Sequence, residues 1–478
     1  MSRQIATQET RPVSAAARSL RRSFAGSVLS PGDEGYDAAR RPLHPIFDPR
    51  PVMVAEAADA ADVRSAIVTA REHGLPVAVQ ATGHGTIVPS DGGVLIKTSG
   101  MAGVLVDPER RIARTGPGAR WRDVIAAAAP FGLAPLSGSA PSVGVAGYTL
   151  GGGVGWLSRK YGFAADSLLR AEVVTADGRV VTASADRHPD LFWALRGGGG
   201  NFGLVTSLEF RLYPVARVYA GTAYFPIDRA ADALAHYRDW AADAPDALST
   251  AVLLRRMPAT PDVPEPLRGA RVFAIRALYA GAEGGDAGIA DAAERAMRPL
   301  RDVAGPPLLD GFRVMSYPET GTIGGTPPLH LDLFDRLPDA VLDTLPAAVD
   351  GPADSPVSTV EIRHWGGAMA HPERPDAGPV GHRDVPFSVI VDAREPSMAA
   401  ALRPHATGGS FLNFLSDPAR TASAYTARHY RRLTEIKRIY DPGNIFHRGH
   451  NIPPNPPARH GQTAHRDQAI PRPAARTG

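Results

Sequence analysis

Short apolar runs separated by turn residues dominate the first part of the chain and predict a mixture of strands and helices. Residues 52–55 and 75–79 are apolar runs of strand length, and between them the apolar positions of residues 63–73 fall at helical spacing. The sequence Asp-Ala-Ala-Asp at residues 59–62 offers N-caps for this helix, and Gly74 follows it as a C-cap. The pattern therefore predicts a β-α-β unit.

Alternating apolar and polar positions further along the chain predict antiparallel hairpins. Residues 103–115 form two alternating runs around a turn at Asp107, and residues 171–183 do the same around Asp177 and Gly178. An Asp-Gly pair is typical of a two-residue hairpin turn. The same patterns indicate two helices and one strand, at residues 121–129, 189–195 and 204–212.

The pattern changes from residue 218 to about residue 400, where strands alternate with a few helical stretches. An antiparallel sheet with one face covered by helices accounts for this arrangement with the fewest assumptions. The predicted strands are residues 219–225, 251–254, 272–279, 358–364 and 386–391, and the predicted helices are residues 228–241 and 288–297. We therefore expect an α+β protein in which an antiparallel domain is inserted into the first domain.

The chain returns to the first domain after residue 409. Helical spacing covers residues 420–440, and the Asp-Pro-Gly-Asn sequence at residues 441–444 ends that helix. The predicted divisions are a loose N-terminal arm at 1–23, the first domain at 24–214, the inserted domain at 215–408, the C-terminal return at 409–452 and a disordered tail at 453–478.

Composition excludes several classes of protein. The 478 residues carry a formal net charge of only +3, with Lys and Arg spread along the chain, so nothing indicates a nucleic-acid partner. No apolar run approaches the ~18 residues that a membrane span requires. The chain has no cysteine, which excludes disulfides and thiolate metal sites, and His460 and His465 in the tail do not form a metal motif.

Arg21 and Arg22, followed by Ser-Phe, resemble the start of a twin-arginine export signal. Such a signal needs an apolar stretch after the arginines and a small-residue cleavage site, whereas this chain becomes polar within residues 25–33. We interpret the arginines as the solvated face of a short helix. We expect a cytoplasmic protein, with twin-arginine export as the alternative.

Three glycine-rich loops are the candidate functional elements. In the first, residues 81–86, His84 stands between two glycines directly after a strand; the second and third are residues 151–155 and 197–203. Glycine lets a backbone approach a ligand closely, and imidazole is a nucleophile, acid or base near neutral pH. A Gly-His-Gly loop can also be an ordinary surface turn. A Rossmann-type NAD site needs its glycines between a first strand and its helix, which the second loop does not satisfy.

Other motifs accompany these loops in a recognisable order. After the His84 loop come GSAPSVGVAGYTLGGGVG at residues 138–155, DLFWALRGGGGNFG at residues 190–203 and YDPGNIF at residues 440–446. Together they resemble a berberine-bridge-enzyme-like flavoprotein oxidase of the vanillyl-alcohol-oxidase superfamily, over residues 24–452. The resemblance implies a bipartite PCMH-type FAD-binding domain of two α+β lobes, with the antiparallel sheet as an inserted substrate domain.

The resemblance also implies where FAD lies. The cofactor would sit between the two lobes, with its pyrophosphate on the backbone of residues 81–86 and 144–152. His84 matches the histidine that family members join covalently to the flavin 8α-methyl group, a bond that fixes the ring and raises its potential. The cofactor-binding residues implied in this way are Ala81, Thr82, Gly83, His84, Gly85, Thr86, Ser139, Gly144, Gly147, Tyr148, Gly151, Gly152, Val205 and Asn413.

Two positions depart from the family pattern. Many members carry a second flavin bond to a cysteine, and the matching residue here is Ala140, so any covalent link is single and runs through His84. The tyrosine of the Tyr-x-Asn segment, often the base that takes the alcohol proton, is Phe411. Phenylalanine cannot accept a proton, so the base lies elsewhere or the substrate needs none.

The inserted domain offers candidates for the missing base. The predicted strand at residues 361–365 places Glu361 on one face and His364 on the other. If His364 points into the cleft, it is the preferred base, and a hydrogen-bonded structural histidine is the alternative. Glu361 and Tyr425 are further candidates, and Asp392 is a weaker one.

The resemblance implies an activity. The protein would remove a hydride from the alcohol or amine carbon of a small molecule, such as a secondary metabolite or a sugar-like compound, and pass the electrons to O2 to give H2O2. A flavin dehydrogenase that reacts poorly with O2 is the main alternative, and a flavin-binding protein without turnover is the other. We expect no metal, no membrane partner and no nucleic-acid partner.

Overall fold

The fold is taken from a computed structural model, which describes residues 15–44, 46–281, 284–349, 357–374, 376–393 and 397–454. Within these ranges no helix is both long and apolar enough to cross a membrane. The predicted tail begins at residue 453, and nearly all of it, including His460 and His465, lies outside the described residues.

The first lobe is a four-stranded sheet in the order β1-β2-β4-β3. β2 and β3 both run parallel to β4, which lies between them, while β1 is antiparallel to β2. The helix between β2 and β3 begins after Asp59, whose carboxylate accepts the N–H groups of Ala61 and Asp62, so the predicted β-α-β unit is confirmed. The elements are β1 Ser27–Leu29, α1 Tyr36–Ala39, β2 Met53–Glu56, α2 Ala60–Glu72, β3 Val77–Gln80 and β4 Val94–Lys97.

The N-terminal segment differs from the predicted loose arm. Residues 15–21 are helical, and Ala16 and Leu20 are buried in the core of the first lobe against residues of β2 and α2. The expectation of a loose arm over residues 1–23 is therefore wrong from residue 15 onward, because two apolar side chains anchor the helix. Residues 1–14 lie outside the described residues.

The second lobe is an antiparallel sheet of five strands in the order β5-β6-β10-β8-β9. Both predicted hairpins, the helix at residues 189–195 and the strand after the third glycine loop are present. The elements are β5 Val104–Asp107, β6 Ile112–Thr115, α3 Trp121–Ala128, β7 Leu133–Ala134, α4 Val145–Leu150, α5 Ser158–Tyr161, β8 Leu168–Val174, β9 Val180–Ser184, α6 Pro189–Leu195, β10 Leu204–Arg211 and β11 Tyr213–Pro214.

The turn between β8 and β9 is one residue longer than the Asp-Gly pair predicts. The N–H of Thr175 donates to the carbonyl of Arg179, and the N–H of Gly178 donates to the carbonyl of Thr175. Gly178 adopts φ +81°, in the left-handed region. This is a three-residue loop closed by glycine, which is the other common way in which Asp-Gly ends a hairpin.

The third sheet is antiparallel and follows the order β15-β12-β14-β13-β18-β19-β17, with β16 paired to β12. All five predicted strands are found, and β15, β16 and β17 were not predicted because they are short or contain charged residues. The strands are β12 Arg217–Pro226, β13 Leu248–Arg256, β14 Arg271–Tyr279, β15 Leu309–Asp310, β16 Arg313–Ser316, β17 His330–Phe334, β18 Val357–His364 and β19 Phe387–Ala393. The helices are α7 Ala230–Ala241, α8 Gly285–Ala304, α9 Asp339–Thr344 and α10 Ser397–Leu402.

The two faces of the third sheet have different neighbours. Side chains such as Ile275 and Ile362 pack with helices α7 and α9, and we call this side the helix face. Ala220, Ala251 and Leu278 on the other side join the core of the second lobe. This second side, the cleft face, is the one that a ligand between the lobes and the sheet would meet.

The C-terminal return completes the first lobe. Helix α11 Ala427–Tyr440 begins at the N-cap Thr426, later than the predicted residue 420. At its end Lys437 donates to the carbonyls of Asn201 and Phe446 and pairs with Asp441 at 2.6 Å. The chain then passes β3, where the carbonyl of Ile445 accepts the N–H of Val77. The Asp-Pro-Gly-Asn stop is confirmed.

Candidate functional site

The tip of the His84 loop is open to solvent, and one internal hydrogen bond crosses it, from the Thr86 hydroxyl to the carbonyl of Gly83 at 3.3 Å. His84 itself is exposed, and its ring meets that of His44 edge-on with centroids 5.3 Å apart. Partial burial and the neighbouring His44 lower the pKa of His84. Because the pKa is lowered, the imidazole is neutral at pH 7 and keeps the free nitrogen lone pair that a nucleophile needs.

The backbone around His84 offers unused hydrogen-bond donors. Among the described residues, the N–H groups of residues 82–86 have no acceptor, and neither do those of Ala146 and Gly147 in the first turn of α4. The two stretches are close, because a Cβ placed on Gly144 would come within 3.0 Å of the Thr82 side chain. They therefore form one set of free donors.

The second glycine cluster is used for packing. The N–H groups of Gly151 and Gly152 donate to the carbonyls of Gly147 and Thr149. Asn413 closes this loop, accepting the N–H of Gly153 at 2.8 Å and donating to the carbonyl of Tyr148 at 3.2 Å. This corrects the expectation that Gly151 and Gly152 present N–H groups to a phosphate, since both groups already have partners.

The packing explains why glycine is needed in the second cluster. Gly152 adopts φ +113°, and a Cβ added to it would lie 3.0 Å from the Phe411 ring. Asn413 occupies the space where a Cβ of Gly151 would lie. The side chain of Asn413 thereby links the C-terminal return to the glycine loop. A direct contact between Asn413 and the cofactor stays a prediction.

The third glycine cluster is structural as well. A Cβ on Gly197 would meet Val380, and one on Gly198 would meet Leu433. Asn201 next to it donates to the carbonyls of Gly198 and His450. The sequence made this cluster a candidate functional element, but Gly197 and Gly198 allow close packing between protein segments.

Three of the other predicted cofactor residues are placed as follows. Ser139 lies against Gly325 of the inserted domain. The Tyr148 ring packs edge-on against Trp121, its buried hydroxyl has no partner among the described residues, and burial raises its pKa. Val205 is buried on β10 in the core of the second lobe. Their contact with a cofactor stays a prediction.

The cleft face of the third sheet carries a buried charged cluster that the sequence only partly revealed. Glu361 has no exposed surface, and both of its oxygens accept hydrogen bonds. Arg363 donates to one oxygen at 2.6 and 2.9 Å, while Arg276 and Thr326 donate to the other at 3.1 and 2.7 Å. Burial alone would raise the pKa of Glu361, but Arg363 and Arg276 outweigh it and lower the pKa.

The charged cluster adjoins the second lobe. The guanidinium of Arg363 lies over the Trp156 ring at 5.3 Å. Thr326, which binds Glu361, directly follows Gly325, which contacts Ser139. The sequence analysis did not identify Arg276 as a site residue. The available signal was that it is the one charged residue within the apolar run 272–279.

His364 does not meet the condition set for a base. It lies on the helix face beside Phe387, with its Nε2 2.9 Å from Arg159 and only 6% of its surface exposed. Burial and the charge of Arg159 lower its pKa to about 3. Successive side chains of a strand point to opposite faces of the sheet. Because Glu361 and Arg363 point to the cleft, His364 points away from it. The interpretation of His364 as the base is corrected to a structural histidine.

Tyr425 and Phe411 also lie in packed surroundings. The hydroxyl of Tyr425 donates to the carbonyl of Gly197 at 3.1 Å, and burial raises its pKa strongly. Phe411 stacks on Phe163 at 5.5 Å and meets Trp365 edge-on. Neither residue offers a free proton acceptor. Of the predicted bases, Glu361 and Asp392 lie on the cleft face. Both oxygens of Glu361 already accept hydrogen bonds, and Asp392 has an interaction partner of its own.

The His84 loop and the start of α4 fit the FAD that the family resemblance implies. A Cβ on Gly85 or on Gly147 would meet no atom within 4 Å, so a ligand can approach the backbone closely at both positions. Free N–H groups in a turn and at a helix start are the usual partners of a pyrophosphate.

Comparison with known proteins identifies the family. The model of an FAD binding domain matches residues 51–184, and the model described as berberine and berberine like matches residues 410–453. (R)-6-hydroxynicotine oxidase of Paenarthrobacter nicotinovorans is 32% identical, over 90% of this chain and 97% of its own length. An FAD-linked oxidoreductase of Dictyostelium discoideum is 27% identical over 84% of this chain and 89% of its own length.

Solved structures agree with this assignment. 6-Hydroxy-D-nicotine oxidase of Arthrobacter nicotinovorans superposes with a TM-score of 0.76 at 28% identity, covering 91% of this chain and 99% of its own. Berberine bridge enzyme of Eschscholzia californica shares the fold, with a TM-score of 0.74 at 19% identity, covering 92% and 99%. The chain therefore belongs to the berberine-bridge-enzyme-like family of FAD-dependent oxidoreductases.

Proposed function

We propose that this flavoprotein is an oxidase that removes a hydride from the carbon next to an amine in a small molecule and passes the electrons to O2, giving H2O2. One observation carries the proposal: Ser139, in the segment that leads to Gly144 and the free donors, contacts Gly325, and the adjacent Thr326 binds Glu361 on the charged cleft face. A cofactor on the loops would thus lie next to a sheet face that can hold a substrate.

The residues that would hold FAD follow from the free donors. The N–H groups of residues 82–86, Ala146 and Gly147 can bind the pyrophosphate. When bound, FAD supplies the acceptor for the hydride and the route for electrons to O2. Tyr148 and Asn413 shape the glycine loop beside this site, so their part is to position its backbone.

His84 is the proposed attachment point. A bond between an imidazole nitrogen and the flavin 8α carbon requires a neutral ring with room around it, and both conditions apply to an exposed histidine whose pKa is lowered. Ala140 stands at the position of the family's second attachment, so a single bond is proposed.

The surroundings of the base candidates favour an amine over an alcohol. An alcohol must lose its hydroxyl proton to a base as the hydride leaves, whereas a neutral amine supplies its own lone pair. His364 faces the helices, Tyr425 binds a carbonyl, and Glu361 is bound on both oxygens with its pKa lowered. The name of the relative, hydroxynicotine oxidase, is consistent with a nitrogen-containing substrate.

Anaerobic titration of the holoenzyme tests the proposal. Matched amines and alcohols of the same carbon skeleton, such as benzylamine and benzyl alcohol with hydroxyl- and carboxyl-bearing analogues, are added while the flavin absorbance is followed. We expect amines to bleach the flavin, and air to restore the colour with one H2O2 per amine oxidised.

The other outcomes separate the alternatives. If amines bleach the flavin but the colour returns slowly in air and no peroxide forms, the protein is a dehydrogenase and not an oxidase. Bleaching by alcohols alone would overturn the amine assignment. If no donor in either series bleaches the flavin, the protein is a flavin-binding protein without turnover and the proposal fails.

A further inference from the structure

The charged cluster on the cleft face carries an uncompensated positive charge. Glu361 neutralises one of its two arginine partners, so the triad of Arg276, Glu361 and Arg363 has a net charge of +1 within a buried region. A buried charge is costly unless a counter-ion is present. Burial lowers the pKa of Arg276, and the charge of Glu361 opposes that shift.

Arg276 has donor capacity left after it binds Glu361. Its Nη1 serves Glu361, whereas its buried Nε has no partner among the described residues, although only 6% of the residue is exposed. A guanidinium has five N–H groups, and leaving a buried one unpaired is destabilising. Arg276 therefore has an unpaired N–H that it can donate to one further anionic oxygen.

Arg255 extends the positive region along the same face. On β13 it lies two residues beyond Leu253, which pairs with Glu361, so both residues point to the cleft face. Its buried Nε also lacks a partner among the described residues, and its charge contributes to the pKa of Arg276. The carboxylate of Asp392 is on this face two strands away and already has a partner of its own.

We infer that Arg276 and Arg255 bind an anionic group of the substrate, and that the group is a carboxylate or a comparable oxyanion. Arginine forks match two oxygens, and such charge-assisted hydrogen bonds are stronger than neutral ones. The inference rests on the proposed function and narrows it, because the donor is then an acidic small molecule with its reacting amine at some distance from the anion.

Ligand binding to the holoenzyme tests this without requiring turnover. Acetate, benzoate and indole-3-acetate are each compared with the corresponding primary amide, and the shift of the flavin spectrum is titrated. We expect at least one carboxylate to bind at least about tenfold more tightly than its amide, since the amide cannot form the ion pair.

Two variants test whether the preference for the carboxylate depends on Arg255 and Arg276. Arg255→Gln leaves the Glu361 triad intact, and Arg276→Lys keeps a cation beside Glu361 but loses the fork. We expect each to reduce the preference for the carboxylate to less than about threefold while binding of the amide changes little. Arg313→Gln, which removes an exposed cation from the same sheet, is the control and should keep the parent preference.

The outcomes separate this inference from the proposed function. If acid and amide bind equally, or if neither cluster variant changes the preference, the anion site is overturned even when amines bleach the flavin. If the arginine-dependent preference is found but no donor bleaches the flavin, the anion site stands and the proposed oxidase activity fails.

Discussion

A single buried carboxylate holds the cleft face together at the residue scale. Glu361 accepts hydrogen bonds from two arginines and a threonine and is completely buried. Removing the charge leaves two cations in the interior with no counter-ion, which is a severe electrostatic defect. The residue is thus more important for the shape of the site than for proton transfer.

Glu361→Gln should lower the free energy of unfolding by roughly 3–5 kcal/mol, the usual cost of an uncompensated buried charge. Urea denaturation followed by circular dichroism measures the change. Glu373→Gln is the matched control, because Glu373 pairs with Arg211 at the surface and its loss should cost much less. Equal costs for the two variants would contradict the role of Glu361.

His84→Ala should abolish covalent flavin while leaving FAD bound reversibly, because the backbone donors remain. Acid precipitation measures this: the pellet of the parent protein should be yellow and fluorescent, and that of the variant colourless with the flavin in the supernatant. Phe131→Ala, an exposed position, serves as the control and should keep the yellow pellet. Release of all flavin from the parent would refute the histidyl link.

His364 gives the protein a defined sensitivity to acid. Its pKa falls from the ordinary 6.5 to about 3 in the folded state, so the unfolded chain takes up the proton first. The stability due to the neutral ring is complete above pH 6.5 and is lost as the pH falls towards 3. Between pH 6 and 4, His364→Gln should reduce the slope of unfolding free energy against pH by about 1.4 kcal/mol per unit. An unchanged slope would contradict this.

At the scale of elements, two exposed glycines differ in their relation to the proposed cofactor site. A Cβ on either Gly147 or Gly200 would meet no other atom. Gly147 is in the first turn of α4, where the cofactor is proposed to bind, whereas Gly200 is in the third glycine cluster. Neither has a positive φ, so alanine is conformationally acceptable at both. The two positions therefore test function without changing the fold.

Gly147→Ala should weaken FAD binding by about tenfold or more, because a methyl group would occupy the space next to the free N–H, while the apoprotein keeps its stability or gains up to about 1 kcal/mol. Gly200→Ala is the control and should alter neither quantity. Fluorescence titration of reconstituted apoprotein measures affinity, preferably in the His84→Ala background. Equal FAD affinity in both variants would remove α4 from the cofactor site.

The elements themselves were largely predictable, and the exceptions have physical reasons. The helix at residues 189–195 and the five long strands follow directly from spacing. The last helix begins at Ala427 rather than at residue 420 because residues 418–424 form a 3-10 helix, whose period of three residues imitates helical spacing. The hairpin turn after β8 was predicted one residue too short, because Asp-Gly fits both loop lengths.

At the scale of the whole molecule, Arg159 links the second lobe to the third sheet. From helix α5 it donates to the carbonyls of Leu248 and Ala244 at 2.8 Å and also to the carbonyl of Trp365. These carbonyls lie after helix α7, at the first residue of β13 and directly after β18. One buried side chain therefore adds to the packing that joins the second lobe to the third sheet.

Arg159→Met should lower the melting temperature and separate the unfolding of the two cores, since several buried carbonyls lose their donor at roughly 1–3 kcal/mol each. Differential scanning calorimetry should show a broadened or double transition in place of a single one. Arg170→Met, an exposed position on β8, is the control and should keep a single transition. A single, sharp transition for Arg159→Met would show that other contacts suffice.

The candidate site was less predictable than the fold because it depends on which face of a strand meets which lobe. Strand alternation placed Glu361 and His364 on opposite faces, but only the packing of the sheet decides which face is the cleft. The same holds for the third glycine cluster, whose glycines are explained by neighbours more than 180 residues away, such as Val380 and Leu433. Long-range contacts of this kind leave no local signal.

The route of the C-terminal return has a consequence for biosynthesis. Ile445 and Phe446 complete the first lobe beside β3, although almost 370 residues separate Val77 from them. A nascent chain emerging from the ribosome must therefore present its opening lobe with an unsealed edge until residues 445 and 446 have also emerged. The lobe that is proposed to bind flavin can close only then.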